Sequence, residues 1–464
     1  MIHDKKKACV ITFGCQQNES DSEKIKGLLD CAGYEILNAD MTEDMSGRRG
    51  QFTGTSRISE CSVIIMNTCA VREHAELKAL SRIGQLKHYK NKNKDILIGV
   101  CGCLAEQPHI AEKIKKSFPY VDFIFGTREI HRVPEILNRV ITEKTRVFER
   151  NENDINDIIP EDLPILRENK FQAKVSIMYG CDNFCSYCVV PYVRGRERSR
   201  AKEKILTECA GLAADGCRDI LLLGQNVNSY RDPENSNYRF TDLINDIAKI
   251  KGNYLLRFLT SHPKDVSGEL IGMMGENKKL AKHFHLPVQA GSDRILELMN
   301  RKYTRAYYLD LVHELKEKAG DTALSSDIIV GFPSETEQEF EDTLDLVARA
   351  EFDNIFPFIY SKRLNTPAEK MRDDVSREEK TERFKRLLKL QNEISLKKNK
   401  AYEGKIIRVL VESEYKNMGA GWLAGRNSQH KLAAFKSRNK DLIGEFADIK
   451  ITEGKLHGLY VEEV

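Results

Sequence analysis

The sequence predicts an α/β protein with three successive domains: an open parallel sheet, a partial (β/α)6 barrel and a small antiparallel β-barrel. Strand-like and helix-like segments alternate in residues 7–125 and again in residues 167–399, as they do in parallel sheets and barrels. A polar, acidic stretch with two prolines precedes the second series. Beyond residue 400, short apolar alternations follow one another without helices between them, which favours antiparallel strands.

The first domain is predicted over residues 7–125. Its apolar segments have the length of strands, and the amphipathic segments between them have the pattern of helices. The predicted strands are 8–13, 62–66, 96–100 and 121–125, and the predicted helices are about 19–32, 73–90 and 106–117. Residues 45–57 are rich in Gly, Ser, Thr and Arg, which predicts an irregular insertion.

Residues 126–166 are predicted to link this domain to the barrel. The barrel is predicted over residues 167–399 and ends in a long amphipathic helix at about 376–399. Its predicted strands are 173–178, 219–223, 254–259, 283–288, 324–330 and 354–359. A TIM-like barrel of this kind carries its active site at the carboxyl ends of the strands.

The last domain is predicted over residues 400–464. Its strands are predicted at 405–412, 422–425, 431–436, 445–451 and 457–461. It carries basic residues interleaved with aromatic ones: Lys405, Arg408, Arg426, His430, Lys431, Lys436 and Arg438, with Trp422, Phe435 and Tyr460. Such a composition suits an RNA-binding surface, although a small barrel also needs aromatic residues in its core.

Composition indicates a globular protein that works in the cytoplasm. The chain has 464 residues, of which 41% are hydrophobic and 31% charged, and its formal net charge is +3. No apolar window has the length of a transmembrane helix, and the apolar stretch at the N-terminus is too short for a signal peptide. In a reducing compartment, clustered cysteines bind metals or take part in catalysis more often than they form disulfides.

Cys181, Cys185 and Cys188 form a C-x3-C-x2-C motif directly after the first predicted barrel strand. Three thiolates on one short loop can hold three irons of a cubane cluster and leave the fourth iron open to a substrate. A zinc site and buried structural thiols are the alternatives. Zinc favours C-x2-C pairs with a nearby fourth ligand, and His283 and His285 are far away in sequence.

A second group of cysteines consists of Cys15, Cys69 and Cys103, each of which follows a predicted strand of the first domain. Loops at the carboxyl ends of parallel strands converge on one crevice, so the three thiols can hold a second cluster. Gly14 and Gly102 would let the backbone approach it. Spacing alone leaves open the alternative of three buried, inert thiols.

The remaining cysteines are interpreted differently. Cys101 competes with Cys103 as a ligand, because two residues along a strand share a face. Five others fall in or beside apolar patterns and are interpreted as core or surface thiols: Cys9, Cys31, Cys61, Cys209 and Cys217.

Four polar residues near the predicted barrel site are candidate cofactor contacts. Gln225 and Asn226 end the second barrel strand, and Asp327 lies in the fifth. Arg194 follows the first cysteine motif, where a guanidinium can bind a carboxylate or phosphate. Strand-end caps and a solvated helix entry are the structural alternatives.

The motifs resemble those of known families. The C-x3-C-x2-C loop, with Tyr187 before its last cysteine, resembles that of the radical S-adenosylmethionine superfamily. Residues 14–18 (GCQQN), 67–72 (NTCAVR) and 102–106 (GCLAE) are similar to the methylthiotransferase domain, and Gly425-Arg426-Asn427 looks like part of the TRAM RNA-binding module. The whole arrangement resembles the methylthiotransferases.

Four further segments resemble the tRNA-modifying branch of that family: 191–200, 260–263, 285–289 and 299–304. Gln17 stands where Met is common there, Ala290 stands where Ser is common, and the insertion at 45–57 lengthens the first domain. None of these departures affects a presumed ligand.

The resemblance implies two [4Fe–4S] clusters and S-adenosylmethionine. Cys181, Cys185 and Cys188 would hold the cluster that cleaves S-adenosylmethionine to a 5′-deoxyadenosyl radical. Cys15, Cys69 and Cys103 would hold the auxiliary cluster that handles sulfur. The reaction would insert sulfur at C2 of the adenine of isopentenyl-adenosine, next to the anticodon, and methylate it.

The resemblance also implies partners: a tRNA anticodon loop that carries isopentenyl-adenosine, a reduced flavodoxin- or ferredoxin-type electron donor, and a sulfur donor. The protein would work as a monomer without a membrane. Two alternatives remain. One is a sister methylthiotransferase that acts on a ribosomal protein or on threonylcarbamoyl-adenosine. The other is a non-catalytic RNA-binding protein with a structural metal.

Overall fold

The structure is a computed structural model that describes residues 5–38, 57–70, 73–150 and 159–461. Apart from Arg57, the predicted insertion at 45–57 lies outside the described residues. The chain forms two compact units. The N-terminal unit comprises Met1–Glu168, Tyr179–Cys181 and Val189–Arg198, and the C-terminal unit comprises Asn169–Met178, Asp182–Cys188 and Ser199–Val464.

The N-terminal unit contains a parallel sheet of six strands in the order β2-β1-β3-β4-β5-β6. The strands are β1 (Lys7–Thr12), β2 (Glu35–Leu37), β3 (Val63–Thr68), β4 (Leu97–Gly102), β5 (Phe123–Phe125) and β6 (Val147–Glu149). The helices are α1 (Gln16–Cys31), α2 (Glu73–Lys92), α3 (Cys103–Glu106), α4 (Pro108–Ser117), α5 (Val133–Glu143) and α6 (Val190–Arg194).

Both faces of this sheet are buried. Ile64 and Met66 of β3 pack into one apolar layer, and Val63 and Ile65 pack into the other. A parallel strand covered on both faces has a continuous apolar sequence, which explains why the sequence pattern identified β1, β3, β4 and β5.

The sheet extends further than the predicted boundary at residue 125. Residues 126–149, predicted as part of a linker, include α5 and β6. In β6, Val147 is buried and its two neighbours are half-buried. A three-residue strand gives too short an apolar run to be distinguished from a polar connection.

The C-terminal unit begins with the predicted barrel, whose strands form two parallel sheets, β7-β10-β11 and β12-β13-β14. An isolated parallel bridge from Leu256 to Leu280 joins them. The strands of this region are β7 (Gln172–Ser176), β8 (Met178–Tyr179), β9 (Arg198–Ser199), β10 (Asp219–Leu223), β11 (Leu255–Phe258), β12 (His283–His285), β13 (Ala323–Val330) and β14 (Asn354–Ile359). β8 and β9 form a separate two-stranded sheet.

Seven helices accompany these strands: α7 (Lys202–Ala214), α8 (Phe240–Lys249), α9 (Gly268–Glu276), α10 (Asp293–Leu298), α11 (Arg305–Lys318), α12 (Glu337–Ala350) and α13 (Arg377–Lys400). Capping boxes start α12, with Thr336 and Glu339, and α13, with Ser376 and Glu379. Each satisfies helix N–H groups that have no partner within the helix. Among the described residues, no helix is long and apolar enough to span a membrane.

The rest of the C-terminal unit is a six-stranded sheet in the order β18-β15-β16-β17-β20-β19, antiparallel except where β17 meets β20. Its strands are β15 (Ile406–Glu414), β16 (Trp422–Asn427), β17 (Leu432–Lys436), β18 (Phe446–Lys450), β19 (Glu453–Lys455) and β20 (Gly458–Val461). Five of them match the predicted strands, and β19 is an additional short one.

Within the C-terminal unit, this sheet packs against the amino ends of the barrel strands. Arg257 of β11 is buried and pairs with Asp219, the first residue of β10, at 3.0 Å. Its guanidinium also donates to the carbonyl oxygen of Asn427 at 3.0 Å. His430 stacks on His283, the first residue of β12, with ring centroids 5.2 Å apart. The polar amino end of the barrel is therefore closed by residues of the terminal sheet.

Candidate metal centres

Cys15, Cys69 and Cys103 follow three adjacent strands of the N-terminal sheet, which we call the second cysteine site. Cys15 lies three residues after β1, Cys69 directly follows β3, and Cys103 directly follows β4. β3 pairs with both β1 and β4. The shared carboxyl edge of a parallel sheet brings such loops together.

The thiols of this site interact. A hydrogen bond from Cys69 lowers the pKa of Cys15 to about 6, and the nearby Arg194 guanidinium also lowers it. Burial raises the pKa of Cys103 to about 11, although Arg194 opposes this effect. The charge on Cys15 also contributes to the pKa of Cys103. Cys15 thus lies close to Cys69 and within electrostatic reach of Cys103, and the assignment of the three thiols to one cluster stays a prediction.

Buried amides fix the loops that carry these thiols. Asn18 of α1 donates to the side chain of Asn67 at 3.0 Å, and Asn67 donates back to the backbone carbonyl of Asn18 at 2.8 Å. The Asn18 carboxamide oxygen accepts from the thiol of Cys15 at 3.4 Å. Gly102 has φ +92°, and a Cβ there would lie 2.4 Å from the Thr68 carbonyl oxygen. Glycine at this position thus lets the ends of the neighbouring strands β3 and β4 approach each other closely.

Arg194 is the residue whose contacts differ most from its predicted role. Its side chain is 5% exposed and that of Asp21 is 2% exposed. The Nε atom of Arg194 donates to Cys103 Sγ at 3.2 Å, and a terminal nitrogen donates to Asp21 Oδ2 at 2.9 Å. Gln17 donates to the other carboxylate oxygen of Asp21 at 3.1 Å. The structure therefore places Arg194 at the second cysteine site, whereas the sequence assigned it to the cofactor.

Cys181, Cys185 and Cys188 form the first cysteine site, which lies on the chain just after β8. Cys185 is buried, and Cys181 and Cys188 are half-buried. The Cys188 amide donates to the Cys185 carbonyl oxygen at 2.9 Å. Phe184 in this loop has φ +45°, and Asn300 donates to its carbonyl oxygen at 2.9 Å. A strained backbone of this kind persists only where surrounding contacts hold it.

A buried arginine also contacts the first cysteine site. Arg301 is 7% exposed and donates to Cys185 Sγ at 3.3 Å. Its other nitrogens donate to the Pro287 carbonyl oxygen and the Tyr303 hydroxyl, both at 2.8 Å. Sequence reasoning noted the 299–304 segment only as a resemblance and missed this contact, because no spacing rule links Arg301 to a cysteine more than a hundred residues earlier.

The candidate cofactor contacts in the barrel differ in their surroundings. Among the described residues, the buried Gln225 side-chain oxygen has no hydrogen-bond partner, whereas buried polar atoms are normally hydrogen-bonded. Both amide atoms of Asn226 bond within the protein, to the Asp265 carboxylate and the His262 amide. Asp327 is partly exposed and its carboxylate lies 3.7 Å from His285 Nε2.

The other thiols have apolar surroundings. Cys101 is buried among Val63, Ile65 and Phe123, and burial raises its pKa well above the usual value. Cys103 is also buried but lies in a different cluster, with Ala70, Val189 and Val193. Cys9, Cys61, Cys209 and Cys217 are buried, and Cys31 is exposed.

The donor sets fit iron–sulfur clusters better than a single metal ion. In the described part of the chain, no group of three or more His, Cys, Asp or Glu side chains is arranged to hold a metal ion. Zinc gathers its ligands tightly around one atom, whereas a cubane cluster has one cysteine at each of several separate irons. Three thiols without histidine, each set next to a buried arginine, fit the second kind of ligand set.

Three family models match the chain. The radical SAM superfamily matches residues 175–347, the uncharacterized protein family UPF0004 matches residues 40–126, and the TRAM domain matches residues 400–460. The first of these ranges contains the first cysteine site, and the second contains Cys69 and Cys103.

Several proteins called tRNA-2-methylthio-N(6)-dimethylallyladenosine synthase are similar over almost the whole chain. That of Carboxydothermus hydrogenoformans is 46% identical over 450 residues, which cover 97% of each chain. Those of Clostridium perfringens and Clostridium botulinum are 46% and 47% identical and cover 99% and 98% of this chain, and 98% and 96% of their own.

Solved structures share the fold. The radical S-adenosylmethionine methyltransferase TsrM of Kitasatospora setae, with cobalamin and a [4Fe–4S] cluster bound, superimposes with a TM-score of 0.57 at 13% identity, over 79% of this chain and 74% of its own. The cobalamin-dependent S-adenosylmethionine radical enzyme OxsB, with aqua-cobalamin and S-adenosylmethionine bound, gives 0.51 at 13% identity, over 84% and 56%. At this identity, the likeness concerns the fold alone.

Proposed function

Because the chain belongs to the family of tRNA-2-methylthio-N(6)-dimethylallyladenosine synthases, we propose that it is a radical S-adenosylmethionine methylthiotransferase of tRNA. It inserts sulfur at C2 of the adenine of isopentenyl-adenosine next to the anticodon and methylates that sulfur. It uses two [4Fe–4S] clusters and S-adenosylmethionine.

One observation carries this proposal most directly. The chain combines a C-x3-C-x2-C loop in the matched radical SAM region with three cysteines that follow adjacent strands at the carboxyl edge of a separate parallel sheet. A generator of radicals alone needs a single open cluster. A second open site in the same chain supports a reaction that also transfers a sulfur atom.

We assign Cys181, Cys185 and Cys188 to the cluster that cleaves S-adenosylmethionine, and Cys15, Cys69 and Cys103 to the auxiliary cluster. When bound, these groups supply the one-electron cleavage, the radical hydrogen abstraction and the sulfur and methyl transfer. The protein provides thiolates at fixed positions: Arg301 holds Cys185 by a hydrogen bond, and the Asn18–Asn67 amide pair holds the Cys15 loop against β3.

We propose Gln225 and Asp327 as contacts of S-adenosylmethionine. The unpaired Gln225 oxygen can accept from the amine of the methionyl part, and the Asp327 carboxylate can accept from ribose hydroxyls. Asn226 contributes indirectly, because its side chain ties the 225–229 loop to the His262 amide and to Asp265.

The tRNA is proposed to bind through residues 400–464, of which the TRAM model matches 400–460. Of the basic and aromatic residues predicted to face RNA, Lys431 pairs with Asp353 at 2.9 Å and lies against the barrel, and Phe435 is fully buried. Lys436 and Arg438 are exposed at the end of β17. These two side chains are therefore the better candidates for phosphate contacts.

We further propose that the protein works as a monomer in the cytoplasm, where its tRNA substrate is found. A flavodoxin- or ferredoxin-type protein would supply the electron and a separate sulfur donor the inserted atom.

Three cysteine variants test the assignment. Cys181→Ala should abolish S-adenosylmethionine cleavage, while Cys69→Ala should retain cleavage but form no methylthiolated nucleoside. Cys31→Ala is the matched control, because it removes an exposed thiol that neither site uses. The reconstituted proteins are incubated with tRNA that carries isopentenyl-adenosine, and the nucleosides are identified by mass spectrometry.

Methylthiolated product from Cys69→Ala would contradict the two-cluster assignment. A protein that binds one zinc ion and cleaves no S-adenosylmethionine would instead support the non-catalytic alternative. Product on threonylcarbamoyl-adenosine or on a ribosomal protein, and none on isopentenyl-adenosine, would support the sister activity.

A further inference from the structure

Each cysteine site contains one buried arginine that hydrogen-bonds one cysteine sulfur. Arg194 donates to Cys103 at 3.2 Å and Arg301 donates to Cys185 at 3.3 Å. The two arginines belong to different units, Arg194 at the end of α6 and Arg301 in the loop between α10 and α11. The repeated arrangement is therefore not a by-product of one local fold.

The backbone fixes the position of Arg194. Arg194 ends α6; Val193 on that helix and Val189 just before it pack with Ala70 and Cys103 in a small buried cluster. The Thr127 hydroxyl donates to the Val193 carbonyl oxygen at 2.9 Å. A long, charged side chain has several possible rotamers, so these contacts restrict where its guanidinium can lie.

Burial of the guanidinium requires compensation. A buried, unpaired cation is costly in free energy, and Asp21 provides a carboxylate at 2.9 Å. Gln17 in turn holds Asp21 at 3.1 Å. A chain of hydrogen bonds thus runs from Gln17 through Asp21 and Arg194 to the Cys103 sulfur, and it fixes the direction from which the guanidinium approaches that sulfur.

Arg301 is held in a comparable way without a carboxylate. Its nitrogens donate to the Pro287 carbonyl oxygen and the Tyr303 hydroxyl, and Tyr303 donates to the Val288 carbonyl oxygen at 2.8 Å. The guanidinium therefore has a fixed direction towards Cys185. The buried Arg194 has a carboxylate partner, Asp21. The described hydrogen-bond acceptors of Arg301 are instead the Cys185 sulfur and two neutral oxygens.

We propose that Arg194 and Arg301 are positioning residues, each of which fixes one thiolate ligand and sets the reduction potential of the cluster at its site. The proposal rests on the proposed function, since it requires both clusters. Hydrogen bonds and positive charge at the cysteine sulfurs stabilise the reduced, more negative cluster and raise its potential. Each arginine should act on its own cluster only.

The experiment uses two full-length parent proteins. Cys181→Ala/Cys185→Ala/Cys188→Ala retains only the second cluster, and Cys15→Ala/Cys69→Ala/Cys103→Ala retains only the first. Arg194→Gln and Arg301→Gln are introduced into each parent. Iron content is measured, and the potential is determined by a redox titration followed by electron paramagnetic resonance.

We expect a crossed result. Arg194→Gln should shift the potential of the second cluster to more negative values and leave that of the first unchanged, and Arg301→Gln should do the reverse. Unchanged potentials at full iron content would overturn the proposal. Equal shifts of both clusters by either variant would also overturn it, because they would indicate a general effect on folding.

Lysine variants cover the case in which a glutamine variant does not fold or load iron. Lysine keeps the charge but lacks the planar fork that reaches the sulfur and a second acceptor together. Arg194→Lys should therefore restore iron binding with a smaller negative shift, and an unshifted potential would overturn the proposal. If the Cys181→Ala/Cys185→Ala/Cys188→Ala parent binds no iron, the proposed function itself is contradicted. Its iron content is measured before any arginine is changed, so the two failures can be distinguished.

Discussion

His262 lies just after β11 and is held in its neutral form. Its side chain is 5% exposed, and Nδ1 accepts from the Lys264 amide at 3.3 Å. Its ring meets that of Tyr303 edge to face at 5.6 Å. Burial, with the positive charges of Arg301 and Lys264, lowers the pKa of His262 to about 2.

This shift makes stability depend on pH. In the unfolded chain a histidine titrates near 6.5, so below that pH the unfolded state binds a proton that the folded state excludes. The contribution is complete above the unfolded pKa and is lost as the pH falls towards the folded one, at up to about 1.4 kcal/mol per pH unit. We expect His262→Asn, whose side chain can still accept from the Lys264 amide, to show a smaller loss of stability between pH 7 and pH 5.

The measurement is the denaturant midpoint of the full chain at both pH values. The quantity compared between the two proteins is the change in midpoint from pH 7 to pH 5. The midpoints themselves are not compared, because the smaller asparagine lowers stability at every pH. An equal pH dependence in the two proteins would contradict a lowered pKa of His262.

Gln225 permits a test of the cofactor site. Replacing Gln225 by Ala should weaken S-adenosylmethionine binding by a factor of about 3 to 10, as expected for the loss of one hydrogen bond. Iron content should not change. Thr322→Ala is the matched control, because the Thr322 hydroxyl is also buried without a partner but precedes β13, at the other end of the barrel. Calorimetric titration of the reconstituted proteins measures both affinities, and equal affinities of the Gln225→Ala and wild-type proteins would exclude this contact.

At the scale of elements, α13 is held to the loop before α12 by a buried ion pair. Arg383 of α13 contacts the Glu335 carboxylate at 3.0 Å, and both side chains are almost completely buried. Burial raises the pKa of Glu335 to about 7, although Arg383 and the Gly331 amide oppose this effect. The positive charge of Arg383 therefore favours the ionised form of the buried Glu335 carboxyl.

We expect Arg383→Met to destabilise the protein by about 3 kcal/mol, because it leaves a buried acid without its cation. Adding Glu335→Gln should recover much of that loss, since a neutral amide needs no counter-charge. Thermal or denaturant unfolding of the two single variants and the double variant measures the coupling. A double variant as unstable as the sum of the single variants would show that the pair does not act as a unit.

The strands and helices also show which parts of the fold could be predicted from the sequence. β10, β13 and α13 have long periodic patterns, and their predicted bounds differ from the structure by one residue or none. β2, β6 and β19 have three residues each, which is too short for a period to be recognised. Cys15, Cys69 and Cys103 were grouped because strand ends converge, and Cys181, Cys185 and Cys188 were grouped by their spacing in the sequence; that either set holds a cluster stays a prediction. Arg194 and Asp21 could not be paired, because their contact depends on the position of α6 in three dimensions.

At the scale of the whole molecule, the terminal sheet is part of the C-terminal unit's architecture as well as a predicted RNA-binding region. Its residues close the amino end of the barrel around Arg257 and Asp219. Deletion of residues 401–464 would therefore expose a buried ion pair and reduce stability, and loss of tRNA binding after that deletion would not by itself identify an RNA surface.

Surface variants are a sharper test. Lys436→Gln/Arg438→Gln should weaken tRNA binding and make the salt dependence of log K shallower, by about 0.7 to 0.9 per lost phosphate contact. The melting temperature should be unchanged. Lys385→Gln/Lys389→Gln on α13 is the matched control, because it removes two exposed lysines outside the terminal sheet. If both pairs of variants bind tRNA equally well from low to moderate salt, phosphate contacts at the end of β17 are excluded.

The chain passes between its two units at five places, after residues 168, 178, 181, 188 and 198. Val189–Arg198 belongs to the N-terminal unit although barrel residues precede and follow it in the chain. A gene split at any single codon before that segment would therefore encode an N-terminal fragment without Arg194. Fusion or exchange of domains among related proteins would preserve both metal centres only if the residues from β7 to β9 were inherited together with the first sheet.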